Sequence, residues 1–143
     1  MNTRRRSYVK IALVTCLGAL LFLASAPASA QAGARCWGVG CRGKDPQVMR
    51  CNRDAITLAE VVERGARVEL RYSPACNARW SRFTVPAAWL RRGAPYAFMG
   101  VGNRTLQQWR ARQVWSLMWS GPIRACGGMF TRVGGIEFCT PAY

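Results

Sequence analysis

Seven cysteines and the absence of any histidine limit the fold of this 143-residue chain more than any other feature. One of them, Cys16, lies in an apolar N-terminal run. The other six are Cys36, Cys41, Cys51, Cys76, Cys126 and Cys139. An even set in an exported chain reads as three disulfides. Zinc is the competing explanation. Structural zinc sites favour closely spaced ligand pairs, whereas here the spacings are C-x4-C, C-x9-C, C-x24-C, C-x49-C and C-x12-C, with no C-x-x-C. No metal site and no cofactor are expected.

The disulfide reading needs an oxidising compartment, and residues 1–30 supply the route to one. Arg4, Arg5, Arg6 and Lys10 form a positive start. An apolar run follows from Ile11 to Ala24, and Ala28-Ser29-Ala30 gives a small-x-small cleavage site. This is the pattern of a bacterial signal peptide, with cleavage expected near Ala30. The apolar run falls short of the roughly 18–20 residues of a membrane span. Cys16 would leave with the signal, because Thr15 before it does not suit a lipobox. Arg5-Arg6 raises the twin-arginine route, while six cysteines favour folding after export. Residues 31–143 are expected to form a single disulfide-stabilised β domain, secreted or cell-wall associated, with no transmembrane segment after cleavage.

Charge narrows the partners. Loss of the four basic residues of the signal lowers the net charge from +15 to +11, and Lys44 is then the one basic residue that is not arginine. A cationic exported protein is drawn to anionic polymers, and salt weakens the attraction.

Residues 31–53 read as loop. Asp54–Gly65 is ambiguous: Asp54 as a cap, Glu60 and Arg64 as an i,i+4 pair and Gly65 as a stop favour a helix locally. Arg67–Tyr72 alternates as a strand, and Ala78–Val85 is a second strand joined to it through a Pro74–Asn77 turn. Ala87–Gly93 is a short irregular or helical piece. Tyr96, Phe98 and Val101 suggest a brief strand. In Gln113–Ser120, Trp115, Leu117 and Trp119 share one face against Val114, Ser116 and Met118. Ile123–Arg132 and Gly135–Thr140 form a hairpin about Gly134-Gly135. Short strands with Gly/Pro turns argue for a mainly β fold, a small antiparallel barrel or sandwich stapled by disulfides.

The run C-W-G-V-G-C-R-G-K-D-P-Q-V-M-R-C-N-R-D-A-I-T with V-E-L-R-Y-S-P-A-C-N-A-R-W, over about residues 36–82, resembles the YjfA-like family of secreted bacterial proteins. The closing A-C-G-G and F-C-T-P-A-Y are similar to the ends of longer members. That family is a domain of unknown function. The resemblance implies secretion and one small domain, brings no catalytic residues, and favours a strand over a helix for Ala55–Val62. Six cysteines allow fifteen pairings. Among them, Cys126 with Cys139 would bridge neighbouring strands, Cys51 with Cys76 would bracket the hairpin region, and Cys36 with Cys41 would close locally.

Chemistry is thin. Without histidine, Ser-His and Cys-His nucleophile schemes are excluded. Acid–base work would fall to Asp45, Asp54, Glu60, Glu63, Glu69 or Glu137, more readily placed in ion pairs with so many arginines. No catalytic residues are assigned and no enzyme is expected. Binding has more behind it. Arg79-Trp80-Ser81-Arg82 and Trp89-Leu90-Arg91-Arg92 interleave arginine and tryptophan, as does Trp109-Arg110-Ala111-Arg112. Arginine grips phosphate or carboxylate, and tryptophan offers a flat face. Core packing of the tryptophans under arginine stems is the plainer alternative. Arg79, Trp80, Arg82, Trp89, Arg91 and Arg92 are the candidate binding residues. The expected partner is an anionic cell-wall polymer, an acidic polysaccharide or a protein, with no specific nucleic acid. A secreted cell-wall glycan hydrolase and a membrane-active or inter-bacterial effector are the alternatives.

Overall fold

A computed structural model describes residues 33–100, 103–104, 111–132 and 134–143. The expected signal peptide, Val101 and the Trp109-Arg110 pair lie outside them. Eight strands are described: β1 (Ile56–Glu63), β2 (Ala66–Ser73), β3 (Ala78–Thr84), β4 (Gly93–Met99), β5 (Asn103–Arg104), β6 (Gln113–Trp115), β7 (Ala125–Thr131) and β8 (Gly134–Cys139). They form two antiparallel four-stranded sheets, ordered β1-β2-β3-β6 and β5-β4-β7-β8. Of the two expected β architectures, the sandwich is the one formed. A short 3₁₀ turn, Ala87–Arg91, carries the chain from β3 to β4.

The local helix reading of Asp54–Gly65 is overturned; the segment is β1, as the family resemblance implied. Two features hid it. Arg64 and Gly65 both have positive φ, 49° and 81°, which is the two-residue hairpin turn whose twist suits antiparallel strands. The register also shifts between Thr57 and Ala59. That bulge puts Leu58, Ala59 and Val61 against the core and leaves Glu60 outward, so simple alternation failed. Glu60 accordingly pairs with Arg67 across the hairpin at 3.5 Å, not with Arg64.

The core lies between the sheets and is built from Val68, Leu70, Phe83, Val85, Ala97, Met99, Val114, Ala125 and Met129. Phe83 stands edge-on to Phe138, with ring centroids 5.7 Å apart. It also lies flush on Gly127, where an added Cβ would come within 2.6 Å of the Phe83 ring. The next residue, Gly128, opens the opposite face in the same way to the Tyr96 ring, whose hydroxyl donates to Glu137. Each glycine is needed for close approach.

Residues 113–120 alternate as expected, but only Gln113–Trp115 is a continuous strand. Val114, Ser116 and Met118 form the buried face, and the tryptophan face is half-exposed. The Ser116 hydroxyl accepts the Ser81 N–H at 2.9 Å, and the Ser81 hydroxyl donates to the Cys126 carbonyl at 2.8 Å, so the buried serines tie the sheets together.

A second, smaller apolar cluster lies on the other face of the first sheet. Trp80 and Ala78 are sealed there by Cys41, Cys51, Cys76 and Met118. The covering layer is the N-terminal loop. The three disulfides are Cys36–Cys41, Cys51–Cys76 and Cys126–Cys139, the one set named above among the fifteen possible. Closing the Cys51–Cys76 loop stabilises the fold by roughly 3 kcal/mol on the chain-entropy estimate.

Gly127→Ala is expected to destabilise the protein by about 2–3 kcal/mol through overpacking against Phe83. Gly40→Ala, at a position with open space around it, should change stability by less than about 0.5 kcal/mol. Urea denaturation of both variants checks the contrast.

Candidate ligand-binding site

The candidate binding residues separate into two groups. Trp80 is 3% exposed and belongs to the second apolar cluster. Arg82 is committed to Glu69: its Nε and Nη2 donate to the two carboxylate oxygens at 2.7 and 2.6 Å. Arg79 is half-buried, with its guanidinium 4.9 Å from the Tyr72 ring centroid. Trp80 and Arg82 are thus engaged within the fold.

Glu69 explains the use of Arg82. It is buried, yet it also accepts from the Thr57 hydroxyl at 3.0 Å and lies 3.8 Å from Arg71. Arg71 in turn donates to the Ala55 carbonyl, fastening the start of β1. Burial alone would raise the Glu69 pKa and is the largest single influence; the Arg82 hydrogen bonds and charge, with Thr57 and Arg71, outweigh it and hold the pKa below the ordinary value. A buried bidentate pair is expensive to break from one side.

The remaining acidic residues are also engaged, not all in ion pairs. Asp54 accepts from the Ser73 hydroxyl and the Ala75 N–H. Asp45 accepts from the N–H groups of Gln47 and Val48 and from the Trp115 indole.

Trp89 and Arg92 are brought together. With Arg64, Met129, Thr131 and Ile136 they line a cavity of about 180 Å³, small beside the roughly 300–1,000 Å³ that hold drug-sized ligands. It is the mouth of the sandwich. Met129 and Thr131 come from β7, Ile136 from β8, Arg64 from the β1–β2 turn, and Trp89 and Arg92 from the β3–β4 connection. Arg91 is exposed and does not line it.

Two glycines build this mouth. At Gly65 a Cβ would meet the Pro86 ring at 3.3 Å, so the turn bearing Arg64 lies against the start of the Trp89 segment. At Gly93 a Cβ would fall 1.9 Å from the Phe130 carbonyl oxygen, so the chain after Arg92 lies directly on β7. The Trp89 turn is closed by Trp89 N–H to Pro86 O at 2.9 Å and Arg92 N–H to Trp89 O at 2.8 Å.

Among the described residues the cavity has an apolar floor, one indole and two guanidinium groups, and no carboxylate in its lining. Glu63 approaches Arg64 at 4.0 Å, with both side chains largely exposed; such pairs contribute little. Among the described residues no carboxylate lies within 4.0 Å of Arg92. Arg64 also holds a left-handed φ of 49°, which costs a non-glycine residue about 1 kcal/mol. Sequence reasoning missed Arg64, Met129, Thr131 and Ile136. The Arg64-Gly65 dipeptide was the available signal for the first, and the helix reading concealed it.

Residues 39–118 match a family model described as protein of unknown function (DUF2690). The chain belongs to this DUF2690 family. The match carries the family and not the narrower YjfA-like assignment. It includes Arg64, Trp89 and Arg92, and ends before the β7–β8 hairpin that supplies the cavity floor. No curated protein and no solved structure matches the chain. Among the described residues no helix is long and apolar enough to cross a membrane.

Glu69 gives a pH prediction. Because its folded pKa is depressed, its contribution is complete above the unfolded value near 4.5 and is lost as pH falls through the folded pKa. Unfolding free energy should therefore decline below about pH 4.5. Glu69→Gln should cost about 3 kcal/mol at pH 7 and flatten this decline. Urea titrations from pH 7 to pH 2 check both effects.

Proposed function

We propose that this protein is an exported, cationic, non-enzymatic binding module. It takes an anionic group of a cell-envelope polymer into the mouth between its sheets. The observation that carries the reading is the Arg64–Trp89–Arg92 cavity, with no acid among the described residues that line it. Two guanidinium groups suit a phosphate or carboxylate, and the indole and apolar floor suit the ring or methylene carbons beside it. A net charge of +11 after signal removal draws the polymer in from a distance. The signal-like N-terminus and the resemblance of residues 36–82 to the YjfA-like secreted proteins support the export half of the reading.

Arg64 fits this role for an energetic reason. A type I′ turn favours asparagine, aspartate or glycine at its first central position. An arginine held there at a conformational cost suggests selection for what it reaches. Arg64→Asn should therefore leave stability equal or raised by up to about 1 kcal/mol while weakening binding.

Adsorption to purified bacterial cell walls, with and without teichoic acid, tests the reading. Binding should fall as salt rises from 0.05 to about 0.5 M. Trp89→Ala or Arg92→Ala should weaken it about tenfold or more, the loss of one charge-assisted contact. Arg35→Ala, which removes the same charge elsewhere, should change it less than about threefold. Equal loss for Arg35→Ala and Arg92→Ala, or no adsorption at all, contradicts the proposal.

A further inference from the structure

The two disulfides of the N-terminal loop are not independent of each other. The Sγ atoms of Cys36, Cys41, Cys51 and Cys76 all lie within 4.8 Å of one another. Cys36 Sγ and Cys51 Sγ, which are not bonded, are 3.8 Å apart. Four sulfurs around a tetrahedral zinc, each at about 2.3 Å, are separated by about 3.8 Å. We propose that these four cysteines, once their two disulfides are reduced, form a four-thiolate site for a tetrahedral divalent ion, zinc being the best fit.

The long cysteine spacings argued against metal because they ignored the fold. The fold brings three loop cysteines onto the β2–β3 turn that carries Cys76, and bonds other than the disulfides hold them there. Gly38 N–H donates to Cys76 O at 2.7 Å, Gly43 N–H to Met118 O at 3.0 Å, and Met118 N–H to Lys44 O at 2.9 Å. Asp54, three residues after Cys51, grips both the Ser73 hydroxyl and the Ala75 N–H, and Ser73 accepts the Cys76 N–H. Trp80 and Met118 pack beneath. Reduction thus frees four thiols on a backbone already fixed in place. Sulfur separation then needs only side-chain rotation.

Three of the four cysteines are buried. Cys36 is half-buried and borders a shallow groove with Ala34, Trp37 and Ala75, which gives a reductant and an ion their way in. The step balances with a dithiol reductant. Each disulfide takes two electrons and two protons to give two thiols, while the dithiol is oxidised to its own disulfide. The ion then displaces up to four protons, leaving a centre of charge −2. Metal binding of this kind would close the N-terminal loop before its disulfides form. Cys126 and Cys139 are not part of the cluster.

The test uses the full-length protein, reduced anaerobically with dithiothreitol, freed of it and titrated with Co²⁺. One ion per chain should bind, with the visible bands of tetrahedral cobalt and a thiolate-to-cobalt charge-transfer band, and Zn²⁺ should displace it. The Cys126→Ser/Cys139→Ser variant should behave alike, and Cys36→Ser/Cys41→Ser should lose the spectrum. A readout on the unaltered chain guards against misfolded variants: one equivalent of Zn²⁺ should shield Cys36, Cys41, Cys51 and Cys76 from alkylation while Cys16, Cys126 and Cys139 react. An octahedral spectrum, equal alkylation with and without zinc, or protection centred on Cys126 and Cys139 overturns the proposal.

Discussion

The seating of Phe83 on Gly127 is the contact on which the rest of the molecule depends. It sets how closely the two sheets approach. A side chain at position 127 would occupy the space of the ring itself, and packed interiors absorb such changes poorly. The inward residues next along β7, Met129 and Thr131, line the cavity. The mouth is thus the end of the sandwich rather than an addition to it. Its rim comes from the two connections that pass that end, the Arg64-Gly65 turn and the Ala87–Arg91 turn.

A sandwich of this size has a modest core, and the chain reinforces it from outside. The loop over Trp80 turns the outer face of the first sheet into a second buried surface. Along the same face, Glu69, Arg82, Arg71 and Thr57 replace apolar burial with a satisfied polar cluster. Burial of that cluster depends on every member being paired. Arg82 is therefore spent on the fold, whereas Arg64 and Arg92 stand at the mouth.

Much of this architecture was legible in the sequence where period and turn chemistry agreed. Alternation marked Arg67–Tyr72 and Ala78–Val85, and the final hairpin was marked too, although Gly134 and Gly135, read as its turn, lie in β8 opposite Thr131 and Phe130. The β1 bulge broke the period of two, and a capped, glycine-ended segment imitated a helix. The site was half legible. Trp89 and Arg92 stood out by composition, but composition ranked Trp80 and Arg82 beside them. Only register separates the pairs: Trp80 faces the disulfide-bearing loop, and Arg82 lies opposite Glu69. Arg64, Met129, Thr131 and Ile136 meet through tertiary contact between segments distant in the chain, which no local pattern carries.

The proposed anion binding is focused in the mouth rather than spread over a generally cationic surface. Amide and indole chemical shifts of the ¹⁵N-labelled protein, followed while a soluble teichoic-acid fragment or an acidic oligosaccharide is added, test it most directly. Saturable shifts are expected at the Trp89 indole and at the amides of Arg64, Gly65, Arg92 and Thr131, with residues near Arg35 and Arg53 nearly unmoved. Shifts distributed over the exposed arginines without preference for the mouth would contradict it.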